Sequence, residues 1–242
     1  MADKPLLKID WATHEAAKYA VENWHYSKCM PTASLFKLGV WEDKKFIGVV
    51  IFGRGANPQI FKYFKLEQTE LCELVRVALK KHKTSVSKII SVCIRILKKS
   101  SPGLKAIVSF ADSEQGHFGI IYQAGNWDYL GESALDKRYK KNGKLHHPRS
   151  LGSKYGNRRD EFLKNKGYEA VKVGIKHRYC FFLDKKIRNN YKIMDYPKCA
   201  SSKDIVASFD QKEEGGVIPT DALQSLNGKE KEKNEGRSKK AS

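Results

Sequence analysis

The chain of 242 residues has no run near the ~20 apolar residues that cross a bilayer. Its N-terminus also lacks the apolar core of a secretory signal. A membrane location is therefore not expected. Cysteine is sparse: Cys29, Cys72, Cys93, Cys180 and Cys199 are odd in number and scattered, with no CxxC spacing. That argues against a disulfide framework and a structural zinc site. Cys72 and Cys93 fall on apolar strand and helix faces, where packing accounts for them. Negative charge is also short, with 27 Asp and Glu against 46 Lys and Arg and a formal charge of +19. Such a surplus attracts a polyanion at long range and is repaid by counterion release, so nucleic acid is the first partner to weigh. The bland alternative is a basic soluble protein that binds no nucleic acid.

What is present reads as one main α/β domain with room for an appendage. Thr13 can cap a helix running to about Trp24, with Glu15 in its first turn. Leu35–Trp41 and Lys45–Phe52, separated by Glu42-Asp43-Lys44, predict a hairpin. Gly53, Gly55, Asn57 and Pro58 then force a loop. Leu71–Leu79 is the next strand. Val86–Lys99 is the clearest helix, with Val86, Ile89, Ile90, Cys93, Ile94 and Leu97 on one face. Ala106-Ile107-Val108 begins a strand that carries Ser109 and Asp112 to its C-terminal end, where open α/β sheets place their chemistry. Phe118 to Tyr122 is a short helix stopped by Gly125, and Trp127–Leu130 is strand-like.

Residues 137–159 hold nine cations, Lys137, Arg138, Lys140, Lys141, Lys144, Arg149, Lys154, Arg158 and Arg159, with no carboxylate between them. Such a segment is not expected to join a core. Tyr139, His146, His147 and Tyr155 are interleaved with the charges, a mix suited to phosphate neutralisation and base stacking. A solvated loop without a role is the alternative. Strands over Ala170–Ile175 and Arg178–Leu183 follow. The chain is then read as a domain over 1–197 and a polar tail over 198–242, expected to be disordered.

The segment Ser109–Gly131, SFADSEQGHFGIIYQAGNWDYLG, is similar to the last shared segment of GNAT-fold transferases. A narrower set of blocks, WHYS (24–27), IFGRGANP (51–58), ELVRVAL (73–79), SFAD, QGH and IYQAGNW, together resembles the phage Mom family of DNA adenine modification proteins. The likeness is dense over Ile9–Trp127 and looser to KHRYCFFLD (176–184). It implies a GNAT-like α/β fold, a twisted mixed sheet with helices on both faces. It further implies an enzyme of the infected bacterial cytoplasm that converts adenine in DNA to N6-carbamoylmethyl (acetamido) adenine and so shields phage DNA from restriction.

On this reading the catalytic candidates are Asp112, Tyr26, His25, Tyr122 and Ser109: a histidine to accept a proton, a carboxylate to orient or deprotonate an amine, and phenols to protonate a leaving group. Convergence is not visible in their spacing, and packing or surface roles remain open. Arg76, Lys81, Lys83 and Ser85 are the donor-binding candidates. The loop before the long helix, Lys80-Lys81-His82-Lys83-Thr84-Ser85, is where a GNAT fold holds a cofactor pyrophosphate, yet it lacks the usual glycines, which puts ordinary coenzyme A binding in doubt. Glu73 and Arg76, three apart on a strand, are expected to face opposite sides. Arg54, Lys140, Lys141, Arg149, Lys154, Arg158 and Arg159 are the candidates for contact with double-stranded DNA.

The donor stays open between glycyl-tRNA and acetyl-CoA. Acetyl transfer supplies no nitrogen for the terminal amide, whereas a glycyl group supplies both carbons and the nitrogen. A metal such as iron on His25, His117 and Asp112 is a minor alternative that no ligand spacing supports, and no metal ligands are assigned. The rival readings are an ordinary GNAT N-acetyltransferase acting on a protein or small amine, and a non-catalytic phage DNA-binding protein. Oligomeric state is not legible.

Overall fold

The computed structural model describes residues 4–31, 34–54 and 59–197. Gly55, Asn57 and Pro58 of the expected loop, Cys199 and the polar tail 198–242 lie outside the described residues.

A short strand β1 (Leu7–Trp11) leads to helix α1 (His14–Trp24). The Thr13 hydroxyl accepts the Ala16 amide as its N-cap. Strands β2 (Ser34–Glu42) and β3 (Lys45–Gly53) form the expected hairpin. Asp43 and Lys44 both have positive φ, 49° and 65°, as a two-residue type I′ turn requires. After the short helix α2 (Ile60–Tyr63) come β4 (Leu71–Leu79) and α3 (Val86–Ser100). The apolar face read from the sequence, Val86 to Leu97, is the face α3 buries. Each such aliphatic side chain contributes about 1.5–3 kcal/mol when fully buried.

Strand β5 (Ala106–Asp112), a single 3₁₀ turn (Ser113–Gln115), α4 (Ile120–Gln123) and β6 (Asp128–Glu132) follow. The chain then leaves the sheet through β7 (Asp136–Lys141), β8 (Lys144–His146), α5 (Pro148–Tyr155), α6 (Asp160–Asn165) and β9 (Glu169–Val173). It returns as β10 (Lys176–Phe182), capped by α7 (Lys185–Arg188).

The main sheet has seven strands in the order β1-β2-β3-β4-β5-β10-β6. All neighbours are antiparallel except β4 and β5. Helices α3 and α4 pack with one set of side chains, among them Leu38, Phe52, Leu74, Ile107 and Tyr179. Helix α1 covers Val49, Ile51 and Ala78, and α2 covers Leu71, Ala106 and Val108, on the opposite side. Helices thus lie on both faces of a mixed sheet, as the GNAT-like α/β class implies.

The basic insertion, not expected to join a core, contributes to one: β8-β7-β9 make a separate three-stranded sheet, and Tyr139, Leu151, Leu163 and Tyr168 are buried in a small core of their own. The apolar residues that close this core, Leu163 and Tyr168, lie beyond the cationic stretch, so the cations alone gave no sign of it. Lys137 and the Tyr139 hydroxyl both bind the Asp160 carboxylate, tying β7 to the start of α6.

Candidate active site

The parallel pair β4/β5 is registered over only three residue pairs, Leu71↔Ala106, Cys72↔Ile107 and Glu73↔Val108. Beyond them the strands part, and the backbone groups that would have paired need other partners. Ser109 supplies one. Its hydroxyl donates to the Leu74 carbonyl at 2.8 Å across the opening and lies 2.7 Å from the Tyr122 hydroxyl. A carbonyl only accepts, so the single Ser109 proton is committed to Leu74 and the Tyr122 proton points to Ser109. Both side chains are buried. Burial pushes the Tyr122 phenol up to about 12; the Ser109 hydrogen bond opposes this, and the charges of Tyr26 and Glu73 add to it.

Strand β4 carries a second irregularity. Its register against β3 shifts between Ile51↔Arg76 and Phe52↔Leu74, leaving Val75 as an extra residue. A β-bulge of this kind reverses the side-chain alternation. Residues opposite one another in an antiparallel pair share a face: Glu73 lies across from Gly53, and Arg76 across from Ile51, which packs under α1. Glu73 and Arg76 therefore share the α1 face, contrary to the expectation from simple alternation. The Arg76 Nη1 donates to the Val75 carbonyl at 2.7 Å, while its buried Nε has no hydrogen-bond partner among the described residues.

The end of α1 brings His25 and Tyr26 to the same face. Tyr26 is 54% exposed, with the His25 ring 4.3 Å away on one side and His117 edge-on at 5.5 Å. Burial, then the nearby Asp112 carboxylate, raises the Tyr26 phenol, with Arg76 opposing. Arg76 and His117 also act on His25, whose affinity for a proton falls to about 3, chiefly through burial. His25, Tyr26, Arg76, Asp112 and His117 thus form one electrostatic cluster beside the parted strands, and Tyr26 links it electrostatically to Tyr122.

Two of the catalytic candidates carry structural duties. The His25 Nδ1 takes the Ser27 amide at 3.1 Å and lies 2.8 Å from the Ser27 hydroxyl. An amide only donates, so Nδ1 is the acceptor and Nε2 carries the hydrogen. Asp112 is half-buried and caps the 3₁₀ turn through the Glu114 amide at 3.1 Å, so it has a structural duty besides any chemical one.

The donor-binding candidates other than Arg76 lie in the loop before α3 and at its cap. Lys81 and Lys83 are exposed, and the Ser85 hydroxyl is the N-cap of α3, accepting the Lys88 amide at 3.4 Å. The amides of Lys83 and Thr84 are taken by the carboxylate of Glu42 at 2.8 and 2.7 Å, and the Thr84 hydroxyl donates to it at 2.6 Å. Burial of Glu42 favours its neutral form, but these three hydrogen bonds outweigh it and hold the carboxyl below its usual range. Glu42 was not among the sequence candidates. An acidic residue at a hairpin turn gives no sign that it will meet a loop forty residues away.

Among the DNA-contact candidates, Arg54 is exposed just after β3, far in sequence from the insertion. Lys140, Lys154, Arg158 and Arg159 are exposed on the small subdomain, Lys154 lying over the Tyr155 ring. Lys141 donates to the Lys166 carbonyl and lies over Tyr168. Arg149 belongs to α5, and its side chain lies outside the described residues. The subdomain returns to the sheet beside the cluster: the Ser113 amide donates to the Ile175 carbonyl, next to Asp112.

No group of three or more His, Cys, Asp or Glu that could hold a metal ion occurs among the described residues. The set His25, His117 and Asp112 is not such a group, and His25 Nδ1 and Asp112 Oδ1 accept backbone amides. No helix among the described residues is long and apolar enough to cross a membrane.

Fold and site define an α/β protein whose polar cluster sits where two parallel strands separate, with a basic subdomain at its side. Residues 6–198 match the model of the Mom protein family, and the chain belongs to that family. It is 29% identical over 203 residues to the methylcarbamoylase mom of Escherichia phage Mu, covering 79% of this chain and 84% of that protein. Among solved structures it is similar to a Bacillus subtilis acetyltransferase in complex with CoA, with 13% identity, 74% of this chain, 99% of that one and a TM-score of 0.43. A phosphinothricin N-acetyltransferase named as putative gives 12%, 74%, 99% and 0.41. At these scores the likeness says nothing of activity.

Proposed function

We propose that this chain modifies the exocyclic amine of adenine in double-stranded DNA by group transfer, leaving a carbamoylmethyl unit that protects phage DNA from restriction. Family membership supports the class of reaction. The observation that carries it to particular residues is the Tyr122–Ser109–Leu74 chain of hydroxyls, set in the opening between β4 and β5 beside Asp112 and Tyr26.

A base inside a duplex must leave the stack to meet such a site. The exposed ring of Tyr26, backed by His25, offers a face on which a displaced base can stack. The subdomain cations Lys140, Lys154, Arg158 and Arg159, with Arg149 and Lys141, would neutralise phosphates on either side. Arg54, exposed just after β3, would be a further phosphate contact.

In the transfer step the adenine nitrogen attacks the donor carbonyl and loses a proton, for which Asp112 is the carboxylate at hand. The bond to the donor's leaving oxygen breaks, and that oxygen needs a proton. Tyr122, held protonated by burial, would provide it by turning its hydroxyl from Ser109 to that oxygen. Ser109 would keep its proton and turn its hydrogen bond from Leu74 to the phenolate. His25 holds the loop that presents Tyr26.

Atom balance favours a glycyl ester, such as glycyl-tRNA, over acetyl-CoA. Displacement of the ester oxygen by the adenine amine gives a glycyl adenine, an isomer of the acetamido product that contains both carbons and the nitrogen, and rearrangement through its free amine completes the conversion. Acetyl transfer would leave the amide nitrogen unaccounted for.

The test is to express the chain in bacteria fed glycine labelled at both carbons and nitrogen, digest the DNA to nucleosides and weigh them. A modified adenine carrying all three labels is expected. An unmodified adenine pool, with folded protein present, would overturn the function. Modified adenine without glycine nitrogen would overturn the donor alone.

A further inference from the structure

The loop Lys80–Ser85 joins the end of a strand to a helix of fifteen residues, and junctions of this kind ordinarily offer backbone amides and a helix dipole to a phosphate. In this chain two of the loop amides, those of Lys83 and Thr84 just before the N-cap Ser85, are already engaged from within. Glu42 is 7% exposed and accepts the amides of Lys83 and Thr84 together with the Thr84 hydroxyl. Its position is set by the backbone, because it closes β2 opposite Lys45 at the tight turn. The first turn of α3 has no acidic residue of its own, so Glu42 supplies the negative charge that the helix start favours. A phosphate arriving here would have to displace a carboxylate and leave it buried without partners, which is strongly unfavourable.

We propose that Glu42 sets donor specificity: it fills the anion cradle at the start of α3, so the group donor is not anchored by a phosphate or pyrophosphate on this loop. The inference deepens the transfer reaction proposed above and rests on it for the existence of a donor. It selects donors recognised elsewhere on the molecule, an aminoacyl ester of RNA being of that kind, against nucleotide thioesters docked through their diphosphate. Lys81 and Lys83 stay outside the cradle as exposed charges.

The experiment follows the backbone amide resonances of Lys83 and Thr84 in the full chain during titration with coenzyme A and, separately, inorganic pyrophosphate. In the parent protein neither probe should shift these resonances saturably. In Glu42→Ala pyrophosphate should bind at these amides about tenfold or more tightly than in the parent, since a like charge has been removed from the cradle. Glu42→Ser, which is too short to fill the cradle, serves if the alanine variant does not fold. Saturable coenzyme A shifts at Lys83 and Thr84 in the parent would overturn the proposal, as would a folded variant that gains no pyrophosphate binding. Nucleosides from cells making the parent are weighed in parallel. Absence of modified adenine there sinks the reaction and leaves the result at the cradle standing.

Discussion

The hydroxyl of Ser109 lies 2.7 Å from that of Tyr122 and spans the gap between β4 and β5 by donating to the Leu74 carbonyl. One side chain thus completes the backbone pairing of a sheet that has opened and directs the proton of the phenol at its centre. Tyr122→Phe keeps the ring packing against Trp127 and Tyr179 and should fold normally while modification is lost. Ser109→Ala should cost about 1–3 kcal/mol, the penalty of leaving buried polar groups unpaired, and also slow modification. Denaturant melts and nucleoside mass spectra of both variants check this. Full modification by Tyr122→Phe would remove Tyr122 from the chemistry.

Asp112 has two duties, and two substitutions separate them. Asp112→Asn keeps a side-chain oxygen for the Glu114 amide and should retain stability while modification is abolished. Asp112→Ala should in addition lose about 0.5–2 kcal/mol with the cap. Equal modification by the parent and Asp112→Asn would reduce Asp112 to a structural cap.

His25 predicts an acid sensitivity. Its protonation is depressed in the fold to about 3 from an ordinary 6.5, by burial first and then by Arg76 and His117. Below 6.5 the unfolded chain takes up a proton that the folded chain refuses, so stability should fall as pH drops from 6.5 toward 3. His25→Asn should flatten that part of the profile. Denaturant midpoints measured from pH 7 to pH 4 give the comparison, and parallel profiles for parent and variant would contradict it.

The salt dependence of DNA binding tests the subdomain. Replacing Lys140, Lys154, Arg158 and Arg159 by glutamine should weaken binding and reduce the slope of log K on log salt by about 0.9 for each phosphate no longer neutralised. Asp112→Asn should bind DNA as the parent does. An unchanged slope would move the DNA surface away from the subdomain, toward Arg54 and the exposed Lys62 and Lys65 in and just after α2.

Gly119 is fixed by its surroundings. Its φ is +75°, and a Cβ there would lie 2.2 Å from the Tyr179 ring. Gly119→Ala should destabilise the protein by roughly 2 kcal/mol or more, since backbone strain adds to overpacking. The start of α4 would shift with it and carry Tyr122 out of place. Thermal stability and modification should therefore fall together in a melt and a nucleoside assay.

Local pattern determined much of this protein. Period and turn chemistry give the β2–β3 hairpin, β4 residue for residue, the buried face of α3 and the Thr13 cap, because each depends on neighbours within a few positions. Separated blocks in one order give the family, and Asp112, Tyr26 and Tyr122 were legible as site candidates. What the sequence could not hold is whatever depends on register and on distant partners. The bulge at Val75 turns Glu73 and Arg76 to one face. The His25 acceptor is claimed by the Ser27 amide, the basic stretch folds around a core closed by Leu163 and Tyr168, and Glu42 reaches Lys83 and Thr84 across forty residues. The physical reason is the same in each case: a hydrogen bond or a shared face is decided by where two strands or loops meet, and that meeting is set by the whole sheet rather than by the residues that make it.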